Sequence, residues 1–223
     1  MAETTILQTE EPIQISSNAH LEKLANDILS KYTERWQMRI KVYVGKEARS
    51  NFINEFLISG KGETNTYYKK GMKKLTLNNS DELINNANYF TKVIKLNGCT
   101  MYKDMPERFK DKVVVFVFNT SDAVGTIEHL LKTATLVHEL THAKQYLIGN
   151  NWMYRDSWIK KTYYKIYYWY PTEVEAFFAG TWFLIKQKRY IPAIKYVGKV
   201  FCIQISVPLI IVFSVLVLLM LIS

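Results

Sequence analysis

The chain has 223 residues, 48% of them apolar, and a formal net charge of +9 at pH 7. That length leaves room for one medium domain with appendages, and the apolar content suffices for a packed core. The excess positive charge forms no compact Arg-rich stripe and accompanies no recognised binding motif, which argues against nucleic acid as a partner. The two cysteines, Cys99 and Cys202, lie far apart in different surroundings, which argues against a disulfide and fits a reducing compartment.

Residues 1–17 are rich in Thr, Gln, Glu and Ser and read as a loose lead-in without the basic start and apolar run of a secretory signal. From Asn18 onward, Leu21, Leu24, Ala25, Ile28, Leu29, Tyr32 and Trp36 keep helical spacing. Ile40, Val42 and Val44 then alternate with polar neighbours, as in a half-buried strand. Leu75-Thr76-Leu77 and Val93 to Leu96 are shorter strand candidates, with a helix expected between them over Asp81 to Phe90. The stretch from Lys69 to Ser80 reads as a solvated loop. Val113 to Phe118 is apolar throughout and predicts a central strand covered on both faces. Thr126 to Ile148 predicts a long helix that stops at Gly149.

Within that helix lies His138-Glu139-Leu140-Thr141-His142. Residues four apart share a helix face, so both imidazoles can reach one Zn²⁺ ion. Glu139 is then placed to take a proton from a metal-bound water. Ile127, Leu130, Leu131 and Ala134 define the buried stripe, and its continuation carries His138, Thr141, His142 and Gln145 inward. Two buried imidazoles need partners, and one metal serves both.

For a third ligand the segment Tyr170-Pro171-Thr172-Glu173-Val174-Glu175-Ala176 offers two carboxylates. Two residues apart on a helix, only one can face the zinc. Thr172 to Glu175 reads as a capping box, with Thr172 as N-cap and Glu175 reaching back. Glu173 shares its face with Ala176 and Gly180, small residues that permit close helix approach, and is the favoured ligand; Glu175 is the alternative. The aromatic run from Trp152 to Tyr170 packs into the core, lines a pocket or forms a membrane-interface belt. Tyr168 and Tyr170 in it are candidate oxyanion stabilisers.

The two motifs together resemble the zinc metallopeptidases called zincins, and within them the gluzincin-like group, whose third ligand is the Glu of an ExxA sequence on a second helix. The resemblance covers roughly residues 113–180 and rests on those motifs. It implies His138, His142 and Glu173 as zinc ligands, Glu139 as general base and a peptide or protein substrate. The fold it implies is α+β, a small twisted sheet with an active-site helix and a third-ligand helix. An edge strand of that sheet would pair with the substrate, and Val93 to Leu96 is the candidate. One position departs from the pattern: many relatives carry an Asp after the Ala, able to orient a ligating histidine, where this chain has Phe177. Two rival readings keep the zinc: a non-catalytic membrane-tethered binding or scaffold protein, and a regulatory protease dedicated to one partner.

From Val200 to Ile222 no residue is charged. At 1.5 Å per residue such a run spans roughly 34 Å as a helix, enough for a bilayer core of about 30 Å, and predicts a C-terminal transmembrane helix over 200–222. Lys186, Lys188, Arg189, Lys195 and Lys199 precede it, so the positive-inside rule predicts a single-pass anchor with the domain facing the cytoplasm. The expected organisation is thus a lead-in over 1–17, a metallopeptidase domain over 18–190, a basic juxtamembrane segment over 191–199 and the span.

Overall fold

The computed structural model describes residues 17–58, 77–94, 96–102, 105–118, 124–149 and 171–198. In chain order these form α1 (Ser17–Leu29), α2 (Glu34–Arg39), β1 (Ile40–Val44), α3 (Gly45–Asn51) and a π-helical stretch, Phe52–Ile58. There follow α4 (Ser80–Asn85), α5 (Ala87–Ile94), β2 (Gly98–Met101), a 3-10 turn at Glu107–Phe109, β3 (Val113–Val117), α6 (Ile127–Leu147) and α7 (Pro171–Lys186). Residues 190–198 are again helical.

The strands form one sheet in the order β1-β3-β2. β1 runs parallel to β3, with Ile40 opposite Val113 and Val44 opposite Val117. β2 is antiparallel to it, with Gly98 opposite Val117 and Met101 opposite Val114. Successive side chains of a strand point to opposite faces, so an unbroken apolar run must be covered on both. Val114, Phe116 and Phe118 pack with Phe52, Phe56, Leu83 and Phe90. Val113, Val115 and Val117 pack on the other side with Leu21 and Ala25 of α1 and Leu136 and Leu140 of α6. A third cluster lies beyond α6, where Leu130 and Ala134 meet Leu184 of α7 together with Ala193 and Tyr196.

Several expectations are corrected. Instead of the expected α+β fold, the described residues are mostly helical, with one small three-stranded sheet. Val93 and Ile94 end helix α5, where Phe90 and Ile94 are buried four residues apart on one face. A short apolar run fits either period, and here the helical one prevails. The edge strand next to β3 is therefore Gly98–Met101 rather than the segment around Val93. Leu77 is helical and exposed, while Leu75 and Thr76 lie outside the described residues. The expected helix over 81–90 is two helices. Asn86 breaks it by leaving the helical region (φ −108, ψ 101) and accepting a hydrogen bond from the Tyr89 N–H through Oδ1 at 3.0 Å.

The membrane span is also not upheld. No helix among the described residues is long and apolar enough to cross a membrane. Residues 200–222 themselves lie outside the described residues. The anchor and the cytoplasm-facing placement drawn from that run fall with it, because an uncharged run meets the length criterion without fixing a conformation. Of the segment expected to lead into it, Ala193 and Tyr196 are buried in the third cluster.

Phe52 concentrates the packing beneath the sheet. It is 1% exposed, and its ring centroid lies 5.0 Å from that of Phe118 and 5.6 Å from that of Phe116. Phe52→Ala should cost about 3–5 kcal/mol, read as a lower urea midpoint with an unchanged slope. A loss below about 1 kcal/mol would contradict a close-packed aromatic layer.

Candidate metal centre

Helix α6 starts where the Thr126 side chain accepts the His129 N–H at 3.2 Å, and stops before Gly149, whose φ is +79°. It lies between the sheet and α7, so His138, Glu139 and His142 are all buried. Helix α7 begins at Pro171, which suits a first helical position because the missing N–H would have no partner there. Its approach depends on Gly180: a Cβ at that position would lie 2.7 Å from the Ala134 carbonyl oxygen. Ala176, one turn earlier, is fully buried.

This close crossing carries Glu173 to the two histidines. Glu173 Oε2 lies 3.4 Å from His138 Nε2, Glu173 Oε1 lies 3.1 Å from His142 Nε2, and the two Nε2 atoms are 3.0 Å apart. Among the described residues these three side chains form the one such cluster able to hold a metal ion. Ligand atoms about 2.0–2.1 Å from a tetrahedral centre lie about 3.3–3.4 Å from one another, so the observed separations are close to one face of that tetrahedron. Glu173 is 1% exposed, and its Oε1 has no hydrogen-bond partner despite its nearness to His142. A buried carboxylate converging on two buried imidazole nitrogens fits a shared cation. Two imidazoles and a carboxylate, with no sulfur, are a donor set that zinc accepts.

The orientation of His142 follows from a chain of hydrogen bonds. The Gln145 amide donates through Nε2 to the Thr172 carbonyl and to Glu175 Oε2, both at 2.9 Å. The carbonyl can only accept, so Gln145 must turn Oε1 toward His142 Nδ1, 2.8 Å away. Nδ1 then carries the proton and Nε2 keeps its lone pair for the cluster. Gln145 thus supplies for His142 an orienting contact of the kind that the resembled motif carries after its Ala, where this chain has Phe177. Phe177 instead packs its ring edge-on to His138, with centroids 4.4 Å apart, and His138 Nδ1 is buried without a hydrogen-bond partner.

Glu175 is exposed and points to Gln145, not to the histidines. The expected capping box is absent: Thr172 lies inside the helix, and its buried hydroxyl has no partner. Tyr168 and Tyr170 lie outside the described residues. Glu139, one position past His138, turns toward β2. Thr100 Oγ1 lies 2.8 Å from Glu139 Oε2 and 2.9 Å from the Glu139 backbone oxygen. Gly98 makes room for this contact, since a Cβ there would lie 3.1 Å from Glu139 Cγ and 2.9 Å from Thr135 Cγ2. Thr100, Gln145 as an orienting group and Tyr196 were not assigned site roles from the sequence. Only Gln145 carried a usable signal, at one turn beyond the second histidine on its inward face.

The charges reinforce one another. Burial by itself would lower the His142 pKa, but the adjacent Glu173 carboxylate, helped by Glu139 and Gln145, raises it to about 9. Burial would likewise raise Glu173, and the two imidazoles override it to hold the carboxyl down to about 2. Burial and the charges of Glu139 and Glu173 push the Tyr196 phenol up. Burial, then the Glu139 charge, does the same to the Cys99 thiol, keeping it neutral.

No protein-family model, no curated protein and no solved structure matches this chain.

Two outcomes follow for the pH dependence of the centre. Binding a cation requires neutral His142, whose pKa is raised to about 9 in the metal-free fold, so zinc should expel about one proton at pH 7. Calorimetry in buffers of different ionisation enthalpy reads this directly, and buffer-independent heats would refute it. In chelator-treated protein, the raised His142 value stabilises fully below 6.5 and is lost as pH climbs through about 9. The lowered Glu173 value stabilises above 4.5 and is lost as pH falls through about 2. The pair's contribution should therefore be greatest between pH 4.5 and 6.5, and Glu173→Gln should flatten the melting profile on both sides.

Proposed function

We propose that the protein is a zinc-dependent peptidase that hydrolyses a peptide bond with Glu139 as general base. The observation that carries this reading is the convergence of His138, His142 and Glu173 within 4.8 Å beside a carboxylate that is not part of the cluster. A purely structural zinc needs no such neighbour, and structural sites normally have four protein ligands rather than three. His138 Nε2, His142 Nε2 and the Glu173 carboxylate would hold the ion. When bound, it would supply a Lewis acid that polarises the scissile carbonyl and makes water a better nucleophile near neutral pH.

The remaining work falls to the chain's own groups. Thr100 has one hydroxyl proton to share between the Glu139 backbone oxygen and Oε2. Donation to Oε2 positions the Glu139 side chain and leaves Oε1 able to accept a proton. Glu139 takes that proton from the water as its oxygen bonds to the carbonyl carbon. It then delivers it to the amide nitrogen as the C–N bond breaks, so the products are one carboxylic acid and one amine. Burial of Glu139 at 7% exposure keeps bulk water from competing for the proton. Gln145 holds His142 in one tautomer throughout.

Glu139→Gln should retain zinc and fold but lose about 10²–10⁴ in cleavage rate. The practical assay compares new protein termini in cells expressing each form, with zinc content measured on the purified proteins. Cleavage products that persist undiminished in the Gln form would exclude Glu139 as the base. An identical biological effect without any new termini in either form would make the protein a zinc-containing binding protein. Glu173→Ala should reduce zinc affinity by at least about 10-fold, whereas exposed Glu175→Ala should change it far less.

A further inference from the structure

A second constellation lies away from the metal ligands, at the carboxyl ends of the parallel strands β1 and β3. Helix α3 follows β1 directly, and its Arg49 reaches the Phe118 carbonyl just past β3. Beside it is a cavity of about 650 Å³, within the size range of small-molecule sites. Crevices outside the carboxyl ends of parallel strands are where open α/β sheets place ligands.

Arg49 is 6% exposed and lines this cavity. Its Nε donates to the Ile84 carbonyl at 2.8 Å and its Nη1 to the Phe118 carbonyl at 2.6 Å. Two of five N–H donors are thus used, both on neutral acceptors. No carboxylate pairs with the guanidinium among the described residues. Burial accordingly lowers its pKa. A buried cation without a counter-charge is costly.

The other charges of the cavity are likewise apart. Exposed Lys46 stands on α3 near Arg49, and exposed Asp81 and Glu82 stand on α4, which packs against α3. None of the three forms an ion pair among the described residues. Asn18, in the first turn of α1, has a buried Oδ1 with no partner, an acceptor that lacks a donor. Asn88, in the first turn of α5, also lines the space. Helix-dipole complementation accounts for Asp81 and Glu82 at the start of α4 and for Arg49 at its end. It accounts neither for the open cavity between them nor for the Asn18 oxygen.

We propose that this cavity binds a small amino carboxylate, its carboxylate held by Arg49 and Lys46 and its ammonium by Asp81 and Glu82. Cations on α3 and anions on α4 lining one space select a ligand carrying both charges over one carrying either alone. The site shares no residue with the metal centre and does not rest on the peptidase reading.

Titration of the full chain with β-alanine, 4-aminobutyrate and 6-aminohexanoate tests this, with acetate and methylammonium as single-charge controls. At least one amino carboxylate should bind about tenfold or more tightly than either control. Lys46→Ala and Asp81→Asn, both at exposed positions, should each weaken that binding about tenfold with the circular dichroism spectrum unchanged. Glu173→Gln should leave it as in wild type. Failure of all three probes to bind better than the controls would overturn the proposal. So would unchanged affinity in both cavity variants, or loss of binding in Glu173→Gln, which would assign the signal to the metal centre.

Discussion

A carboxylate and two imidazoles are buried within 3.4 Å of one another, and the rest of the structure is arranged to keep them there. Such groups are costly to desolvate unless a cation or a shared proton joins them. The raised His142 and lowered Glu173 pKa values express that coupling as a proton, and the near-tetrahedral spacing of the three ligand atoms expresses it as a site for an ion. The spacing depends on backbone proximity. Gly180 lets α7 lie against the Ala134 carbonyl, and a side chain there would push Glu173 away from the histidines.

Helix α6 divides its labour by direction. His138 and His142, four residues apart, face α7, while Glu139 lies about 100° around the helix and meets β2. The candidate centre therefore sits on a seam, with the His138–His142–Glu173 cluster completed from one side and Glu139 held by Thr100 from the other. Gly98 is to the β2 side what Gly180 is to the α7 side, a place where a Cβ would not fit. The sheet supports this by its central strand, which packs an aromatic layer on one face and α6 on the other.

The two histidines are not equivalent. His142 is tied through Gln145 to the Thr172 carbonyl, so the same amide that fixes its tautomer also links α6 to the start of α7. His138 has an aromatic neighbour in Phe177 and a buried Nδ1 without a partner. Hydrogen bonding to the far nitrogen raises a histidine's basicity as a ligand, so an ion bound in this cluster would be held more firmly through His142.

Sequence alone determined the features that are local. The four-residue histidine spacing, the start of α6 at Thr126 and its stop before Gly149, and the two-faced burial of Val113 to Val117 are set by periodicity and end signals within a few residues. The small face of Ala176 and Gly180 likewise marked Glu173 as the residue turned toward α6. Tertiary structure alone decided what depends on distant segments meeting. The short run at Val93 satisfied both helical and strand periods, and packing against the aromatic layer settled it as helix. Thr100 reaches Glu139 across 39 residues and Gln145 reaches Thr172 across 27, separations over which no sequence period operates. A hydrogen-bond partner of that kind is selected by where two backbones come to lie, and only the folded chain brings those backbones together.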